Sequence, residues 1–513
     1  MTKNDYALAN PISIILNKPK EDFTREDLLK VIHEKRIERI TYHYTALDGK
    51  LKELKIPLSN RKQAERVLAE GERVDGSSLF KGLVDSGLSD LYVVPVYKTA
   101  FLNPFYEGSL DLICRFMTPD GKPAPFTPDN ILANAYKYFK KNTGLELQAL
   151  GELEFYLFHE SETVMYFPPK QQGYHASAPY IKSSRVLDEI LRNITQITGS
   201  IKYAHSEVGF IERIESSSEE LNGKIGEQYE IEFLPTPIDM AADDIVIAKW
   251  LIRNVAFRNG MLATFTPKLE EGVAGNGLHI HLELLKNKKN CMVDTNGKLS
   301  TSAKKLIGGL CKYADTIIAY GNTLASSFLR LVPHQEAPTR VCWSDSNRSV
   351  MIRVPLGWTK IGNLANNVNP EDISEKLEDT GRQTVEMRTP DGSANVHLLL
   401  ASIALAAEWG LTSKESLKIC EDLYVKGNIF NDETLLKKLP LLPNSCADAH
   451  EILSVKRDYY EKDNIFPKSI INYVLNMLQV ENDKDLHERL TKMNEENRMS
   501  EIRKIMHRSL HRH

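Results

Sequence analysis

The chain has 513 residues, of which 42% are hydrophobic and 26% are charged, and its formal net charge is −4. This length predicts two or more packed units. The small net charge gives no reason to expect a nucleic acid or a membrane surface as a partner. The most apolar stretch, residues 397–411, is shorter than the roughly 20 residues that span a bilayer. Six scattered cysteines and an N-terminus without an export signal predict a cytoplasmic protein with reduced thiols.

The first part of the chain alternates short strand-like runs with turns. RITYHYT (39–45) precedes the turn pair Asp48-Gly49, and SDLYVVPVYKTAFLNPF (89–105) ends beside a proline. The stretch TPDGKPAPFTP (118–128) is rich in turn residues. We therefore expect one domain over residues 1–125 and a second over residues 126–513.

The second part of the chain mixes helices with strands. A helix is predicted near residues 131–142, and strands are predicted over 147–158 and 277–284. The clearest helix covers 238–260, where we expect Asp239 to cap the beginning and Gly260 the end. Further helices follow residue 392 and continue into a charged C-terminal part. Because strands follow strands more often than regular helical crossovers, we expect an α+β fold.

Four strand-like segments carry polar residues on one face and apolar residues on the other, since residues i and i+2 of a strand point the same way. The polar residues are Glu152 and Glu154; Gln228, Glu230 and Glu232; His279 and His281; and Glu386 and Arg388. Each segment alone is typical of a solvated strand. Because their opposite faces are strongly apolar, the four together predict a buried sheet with several carboxylates on one wall.

Carboxylates gathered on a buried wall need positive charge nearby to stay ionised. Mg²⁺ or Mn²⁺, which accept Glu oxygens and an occasional His as ligands, supply such charge. A second group is cationic: Arg330, Arg340, Arg348 and Arg353, whose guanidinium forks suit carboxylates and phosphates. Arg348 and Arg353 are five positions apart, so we expect one of them in a turn or past a bulge. Divalent metals beside arginines predict phosphoryl transfer, although the sequence has no Walker-type loop.

Eight sequence blocks resemble the motifs of the glutamine synthetase family and occur in the family's order. They are VDGSS (74–78), GELEF (151–155), HSEV (205–208), GEQYE (226–230), KLEEGVAGNGLHIHLEL (268–284), RLVPHQEAP (330–338), NRSVMIRVP (347–355) and VEMRTPDGSAN (385–395). One block would be weak evidence, whereas eight in order are highly specific. The resemblance implies a small N-terminal β-grasp-like domain and a large catalytic domain with a curved antiparallel half-barrel sheet backed by helices.

The resemblance also implies roles for individual residues. The implied metal ligands are Glu154, Glu207 and Glu230 near glutamate and ammonia, and Glu152, His279 and Glu386 near the ATP phosphates. The implied contacts to phosphate are His281, Arg348 and Arg353, and those to glutamate are Arg330, Arg388 and the backbone of Gly275. Asp75, helped by Ser78 and supplied by a neighbouring subunit, would deprotonate ammonium, with Asp90 as a supporting residue. Glu336 would lie on a flap that closes the site and would take a proton from the adduct.

The implied reaction joins ammonia to the γ-carboxylate of glutamate. ATP first converts this poor electrophile to γ-glutamyl phosphate, and ammonium must lose a proton before it attacks. The products are glutamine, ADP and phosphate, and water must be excluded from the acyl phosphate. The resemblance implies a homo-oligomer, a dodecamer of two hexameric rings with active sites between subunits.

Several departures from the family pattern leave alternatives open. The segment between Glu207 and Glu230 is longer than in common bacterial members, so the metal ligand could instead be Glu212, Glu215 or Glu232. Glu283 replaces a small polar residue, and the flap and glycine-rich blocks also differ. A divergent branch could join glutamate to a larger amine, such as a polyamine or ethanolamine, although the intact Asp75 favours ammonia. A catalytically silent structural or regulatory relative is a third interpretation, which the presence of all six candidate metal ligands disfavours.

Overall fold

The computed structural model describes residues 6–160, 165–166, 168, 170–332, 338–357, 364–374 and 381–512. These residues form a six-stranded sheet near the N-terminus and a ten-stranded sheet in the rest of the chain. Helices pack around both sheets, and those from residue 396 onward follow the last strand of the second sheet in sequence. The predicted α+β fold is confirmed.

The first sheet is short and mixed. Its strands are β1 (Arg39–Thr45), β2 (Leu51–Pro57), β3 (Glu72–Asp75), β4 (Asp90–Pro95), β5 (Phe101–Leu102) and β6 (Ser109–Met117). The spatial order is β2-β1-β6-β4-β3, with β5 also paired to β6. β1 and β6 run parallel, and the other pairs are antiparallel. The helices of this part are α1 (Pro11–Leu16), α2 (Arg25–Glu34), α3 (Arg61–Glu70) and α4 (Gly76–Leu79).

The second sheet is almost entirely antiparallel; among the described strands only β14 and β15 pair in parallel. Its strands are β7 (Glu146–His159), β8 (Ile201–Ile211), β9 (Ile225–Phe233), β10 (Thr236–Pro237), β11 (Leu262–Thr264), β12 (Leu278–Lys286), β13 (Lys289–Asn290), β14 (Trp343–Asp345), β15 (Ile352–Val354) and β16 (Val385–Met387). The spatial order is β14-β15-β16-β12-β7-β9-β8, while β10 and β11 pair with β7 and β13 pairs with β12.

The helices of the second part surround this sheet. They are α5 (Pro128–Thr143), α6 (Ser184–Thr198), α7 (Ile238–Arg258), α8 (Thr301–Gly321), α9 (Ala325–Arg330), α10 (Ala365–Val368), α11 (Val396–Thr412), α12 (Ser416–Asp422), α13 (Glu433–Lys438), α14 (Cys446–Val455), α15 (Asp458–Glu461), α16 (Lys468–Val480), α17 (Leu486–Thr491) and α18 (Glu495–His507). Five short 3₁₀ turns complete the described elements: Lys20–Asp22, Ser86–Leu88, Tyr97–Thr99, Ile429–Asn431 and Lys462–Asn464.

Helix α7 corrects one local prediction. Asp239 does not cap this helix, because the chain enters it directly from β10 and Pro237 occupies the cap position. Asp239 instead lies in the first turn, where its negative charge complements the helix dipole. The helix ends at Arg258, and Gly260 follows in a left-handed conformation with φ of 69°.

Helices α8 and α11 cross at very short distance, and glycine makes this crossing possible. A Cβ atom added to Gly309 of α8 would lie 2.2 Å from the carbonyl oxygen of Ala406, and one added to Gly410 of α11 would lie 2.3 Å from that of Lys305. Almost all of α11 is buried.

Among the described residues, no single helix is long and apolar enough to cross a membrane, and only α11 and α12 together, bent by 102°, pass by length and composition.

We expect Gly309→Ala to lower the free energy of unfolding by about 1–3 kcal/mol, because the new methyl group must push two helix backbones apart. Alanine's higher helix propensity, worth about 1 kcal/mol, would act in the opposite direction. Urea unfolding followed by circular dichroism measures the change. Lys304→Ala, at an exposed position of the same helix, is the control and should change stability by less than about 0.5 kcal/mol. A Gly309→Ala protein as stable as the parent would contradict the close crossing.

Candidate active site

The predicted polar faces lie side by side in the second sheet because the strand registers align them. Glu152 of β7 lies opposite His279 of β12 on one side and Glu232 of β9 on the other. Two residues along β7, Glu154 lies opposite Glu230 of β9. Directly opposed residues of an antiparallel pair have Cβ atoms about 5 Å apart. These side chains are therefore neighbours on one wall.

The wall continues in both directions across the sheet. Glu386 of β16 lies opposite His281 of β12 and opposite Arg353 of β15. At the other side, His205 of β8 lies opposite Glu230. The alternate residues of these strands point into the apolar core, where the fully buried members include Leu153, Phe155, Ile231, Leu278 and Ile280. The two-faced pattern predicted for these strands is confirmed.

Strand β8 bulges beside this wall. Residues 206–210 of β8 span the same length as residues 227–229 of β9, so β8 carries two extra residues there. Glu207 lies in the bulge, and the next residue but one, Gly209, donates its N–H to Gln228 Oε1 at 3.0 Å. The bulge thus lets Glu207 leave the regular ladder while its strand stays attached.

The polar wall lines a cavity of about 1090 Å³. The cavity brings together most of the residues that the sequence singled out, namely Glu152, Glu154, Glu207, Glu230, Gly275, His279, His281, Arg330, Arg348, Arg353 and Arg388. Glu386 is completely buried beside it. One concave surface therefore holds acidic, imidazole and guanidinium groups in contact with solvent-accessible space.

One acidic group of the wall, formed by Glu152, His279 and Glu386, is surrounded by positive charge. The Nδ1 atom of His279 and the Nε2 atom of His281 each lie 2.9 Å from an oxygen of Glu152. Burial would raise the pKa of Glu152, but the charge of His281 and the hydrogen bond with His279 outweigh it and hold this pKa well below its usual value. Glu386 accepts hydrogen bonds from Arg353 at 2.7 Å and from Arg388 at 2.6 Å. Its pKa is lowered because Arg388 and His281 outweigh the effect of burial.

The other acidic group, formed by Glu154, Glu207 and Glu230, lacks such compensation. Burial raises the pKa of Glu207 to about 8, and the charge of Glu154 adds to the shift. Burial and the surrounding carboxylates raise the pKa of Glu230 well above its usual value, although His205 Nε2 lies 3.0 Å from one of its oxygens. This end of the cavity is short of positive charge.

Three donor sets on this wall suit a divalent cation, and the predicted ligands Glu154, Glu207 and Glu230 are divided between two of them. Ligand atoms of Glu152, His279 and Glu386 lie within 4.8 Å of one another, as do those of Glu154, Glu230 and His279, and those of His205, Glu207 and Glu230. Carboxylate oxygens with one imidazole fit Mg²⁺ or Mn²⁺ better than structural zinc, which prefers Cys and His. The raised pKa values around Glu207 show where a bound cation would relieve the most repulsion.

The arginines lie along the rim of the acidic wall. Arg353 is in β15 and Arg348 is in the turn before it, as the five-residue spacing predicted. Arg330 ends α9 and donates to the carbonyl oxygen of Thr389 at 3.0 Å. Burial lowers the pKa of Arg330, but the guanidinium remains a cation. Arg340, which was grouped with them from sequence, does not line the cavity among the described residues.

The glycine-rich loop, defined here as residues 268–276, closes one side of the cavity. Gly275 needs to lack a side chain, because a Cβ atom there would lie 2.2 Å from the carbonyl oxygen of Pro267. The side chain of Gln228 donates to the carbonyl of Gly275 at 3.0 Å, and the side chain of Asn276 donates to that of Thr266 at 2.9 Å. The loop backbone is thus fixed close to Arg330.

Three residues predicted for the amine site, Asp75, Ser78 and Asp90, do not line the cavity. Asp75 and Ser78 are exposed at the end of β3 and do not line the cavity of their own chain. The hydroxyl of Ser78 donates to Asp75 at 2.5 Å, and this bond together with that of Ser77 lowers the pKa of Asp75 to about 2. Asp90 pairs with Asp75 in the ladder and contacts Arg73 at 3.4 Å. Glu336 lies outside the described residues.

Sequence reasoning missed some cavity residues. Although the block HSEV was recognised, His205 was not singled out as a partner of Glu230. Tyr174, whose ring centroid lies 5.2 Å from that of His205, also lines the cavity. The signal that could have identified His205 was its position two residues before Glu207 on β8, since residues i and i+2 of a strand point the same way. The segment that holds Tyr174 has no regular period, so nothing in the sequence indicated that Tyr174 lines the cavity.

The alternative metal ligands separate clearly in space. Glu212 and Glu215 are exposed, and Glu215 forms an ion pair with Arg503. Glu232 is buried and lines the cavity, but Lys202 neutralises it at 2.7 Å. Glu283 also lines the cavity, where the side chain of Asn290 donates to it at 2.7 Å.

Comparisons with known proteins agree with this architecture. Residues 126–497 match the family model described as "Glutamine synthetase, catalytic domain", and residues 36–119 match the model described as "Glutamine synthetase, beta-Grasp domain". The predicted β-grasp fold of the N-terminal part is therefore confirmed.

Relatives of known function carry the same family name. Glutamine synthetase of Thermus thermophilus is 30% identical over 402 residues, which cover 76% of this chain and 81% of that protein. Glutamine synthetase of Pyrococcus horikoshii is 30% identical over 437 residues, which cover 84% and 86%. The solved structure of Plasmodium falciparum glutamine synthetase matches the fold with a TM-score of 0.70 at 19% identity, covering 93% of this chain and 98% of that one. The chain therefore belongs to the glutamine synthetase family.

Proposed function

We propose that the protein is an ATP-dependent glutamate–ammonia ligase, which makes glutamine, ADP and phosphate through γ-glutamyl phosphate. The observation that carries the proposal is the single cavity in which two acidic groups face Arg330, Arg348 and Arg353. Membership of the family and the names of the curated relatives support the same reaction. Phosphoryl transfer is catalysed mainly by positioning and charge neutralisation, and this cavity offers both.

Glutamate would bind at the end of the cavity formed by Arg330 and the glycine-rich loop. A guanidinium group and the backbone around Gly275 suit its α-carboxylate, and Arg388 lies next along the wall. ATP would bind with its phosphates towards His281, Arg348 and Arg353. These three cations would counter the charge that develops on the transferring phosphoryl group.

We propose Mg²⁺ or Mn²⁺ as the cofactor. Glu154, Glu207 and Glu230 would hold one ion, and Glu152, His279 and Glu386 another. Such ions supply charge neutralisation and orientation to ATP phosphates and carboxylates. The residues of the chain would hold the γ-carboxylate and the phosphates within reach of each other and keep water away from the acyl phosphate.

The amine site would be completed by a second protomer. In its own chain Asp75 is exposed and has a pKa of about 2, so it is an anion at any physiological pH and suits a small cation such as ammonium. Burial against a neighbouring subunit would make it a stronger base. We therefore propose a homo-oligomer, a dodecamer of two hexameric rings, with Asp75 and Ser78 of one subunit facing the cavity of the next. Glu336, on the segment before β14, would close the site and accept a proton from the adduct.

A cytoplasmic location fits the cysteines. All six are free, five are buried and the sixth is partly buried. Unpaired thiols of this kind are typical of proteins in reducing compartments.

A ligase for a larger amine is the second candidate. The cavity has a volume of about 1090 Å³, which exceeds the space that glutamate and ammonia occupy unless ATP fills the rest. This volume supports the second candidate. Ammonia remains the preferred substrate because Asp75 provides a compact anionic site. A silent relative has less support, because all six candidate ligands are present and five of them line the cavity beside Glu386.

We expect ammonium to support faster ATP-driven phosphate release than methylamine, ethanolamine or putrescine at the same low concentration with glutamate present. Asp75→Ala should lower kcat/KM for ammonium by about 10²–10⁴-fold, the usual contribution of a positioned proton acceptor. Phosphate release and glutamine formation are the measurements. Asp85→Asn, at another exposed acid of the same part of the chain, is the control. A larger amine that outperforms ammonium would refute the ammonia assignment.

We expect two inactive variants to restore activity when they assemble together, because each site would combine residues of two subunits. Asp75→Ala and Glu152→Gln should each be inactive alone. Co-expression with two affinity tags should give mixed oligomers with about one quarter of the sites intact, since a ring with random order pairs the two good halves at that frequency. Mass photometry checks the assembly. Mixed oligomers without activity would place Asp75 and Glu152 in the same subunit's site and would refute the shared site, whereas an active single variant would exclude a role for the residue it changes.

We expect the metal-free protein to lose stability as pH rises from about 5 to about 8, because over this range the folded state holds a proton on Glu207 that the unfolded chain has already released. The pKa of Glu207 is raised to about 8 in the folded state, so the free energy of unfolding falls as pH rises towards that value. Mn²⁺ or Mg²⁺ should raise Tm more at the upper pH, since the cation replaces the proton. Glu207→Gln should reduce both effects, while Glu212→Gln, an exposed position, should change neither. Equal metal effects at both pH values would argue against this site.

A further inference from the structure

The end of the chain lies beyond the part that matches the family model, yet it packs against the cavity. The match to the catalytic-domain model ends at residue 497. We call residues 498–512 the C-terminal tail; it comprises most of α18 and the residues after it. Its contacts include two elements of the glutamate end, the glycine-rich loop and α9.

The tail contacts the glycine-rich loop at successive points. Arg498 donates from both terminal nitrogens to the two oxygens of Glu271, at 2.7 and 2.7 Å. Arg503 donates to Glu270 at 3.3 and 3.3 Å. The Nε2 atom of His507 lies 2.8 Å from the carbonyl oxygen of Leu269.

An apolar cluster joins the tail to the same loop. Leu510 packs in this cluster with Leu269 and Val273 of the loop and with Tyr156 and Phe158 of β7. The hydroxyl of Tyr156 donates to the carbonyl of Ala274 at 2.8 Å, which ties the loop to the sheet. The loop is thus held between the sheet and the tail.

The long segment between Glu207 and Glu230 also contacts the tail. It forms a hairpin over residues 212–224, in which the Ile214 N–H donates to the carbonyl of Lys224 at 3.0 Å. Its Glu215 pairs with Arg503, and its Glu220 pairs with His511 at 2.7 Å. The long hairpin and the C-terminal tail therefore meet beside the glycine-rich loop.

The tail also supports the helix that ends at Arg330. Ile502, Ile505 and Met506 of α18 form a buried cluster with Ala325 and Leu329 of α9. Glu481 accepts a hydrogen bond from the Ala325 N–H at 2.9 Å and forms an ion pair with Arg512 at 2.7 Å. Both the loop and α9 thus depend on the tail for part of their packing.

We propose that the C-terminal tail positions the glutamate-binding end of the cavity, with Arg498 and Arg503 as positioning residues that hold the glycine-rich loop. The substrate in this statement rests on the proposed function. Neither arginine lines the cavity, so each acts through the loop backbone around Gly275 and through its distance to Arg330.

The exposure of the two ion pairs determines how large a change in the KM for glutamate we expect. The Arg498 and Glu271 side chains are 30% and 42% exposed, whereas those of Arg503 and Glu270 are 27% and 15% exposed. Partly exposed pairs each contribute modestly, so removing both should raise the KM for glutamate about three- to tenfold. The KM for ATP should stay unchanged, because ATP phosphates are expected at the other arginines.

The test uses the full-length double variant Arg498→Ala/Arg503→Ala. Initial rates give the KM for glutamate and for ATP, and hydrogen–deuterium exchange reports on residues 268–276 without any need for activity. We expect a higher KM for glutamate and faster exchange of the loop. Lys504→Ala is the matched control, since Lys504 is an exposed cation on the same helix. It should change neither measurement.

A charge swap separates positioning from general destabilisation. Arg498→Glu and Glu271→Arg should each raise the KM for glutamate, and the two together should restore it towards the parent value. Unchanged loop exchange in the double alanine variant would overturn the proposal, as would equal increases in the KM for ATP and for glutamate. If the parent protein made no glutamine, the proposed function would fail, and loop exchange alone would decide whether the tail orders the loop.

Discussion

Repulsion between carboxylates on one sheet wall is the constraint on which the rest of this structure depends. Glu152, Glu154, Glu230 and Glu232 face the same side of two adjacent strands, so the register that builds the sheet also brings like charges together. The two ends of the wall differ in how much positive charge lies beside the carboxylates. Imidazoles and guanidinium groups compensate the end around Glu152 and Glu386, whereas burial and mutual repulsion raise the pKa values of Glu207 and Glu230 at the other end. A divalent cation is the natural partner for the second end, because it would offset this deficit of positive charge.

Much of the wall could be predicted from sequence because period-two alternation reports which side chains share a face. It identified the pairs Glu152/Glu154 and His279/His281 and the apolar residues behind them. It could not say which strand lies beside which, since β7 pairs with β12 more than a hundred residues later. The ordered motif blocks supplied that missing information. Asp239 shows a local limit, because a strand that leads directly into a helix changes which residue caps it.

Other parts of the site were beyond sequence reasoning for physical reasons. Tyr174 reaches the cavity from an irregular segment, which has no period to read. The tail residues Arg498 and Arg503 look like ordinary charges on a helix, and only the folded chain shows that the acids they meet belong to the glycine-rich loop. The motif around Asp75 was clear in the sequence, but Asp75 does not line the cavity of its own chain.

The two extra residues of the β8 bulge have a consequence for how such a chain can diversify. An even number of added residues preserves the alternation of a strand, so the residues beyond the bulge keep the face they had before it. Phe210 beyond the bulge therefore shares a face with Ser206 before it, and β8 stays in register with β9 on both sides of the extra residues. A change in the length of the hairpin would alter the contacts of Glu215 and Glu220 with the C-terminal tail, while the pairing of β9 with β7 keeps Glu230 on the polar wall.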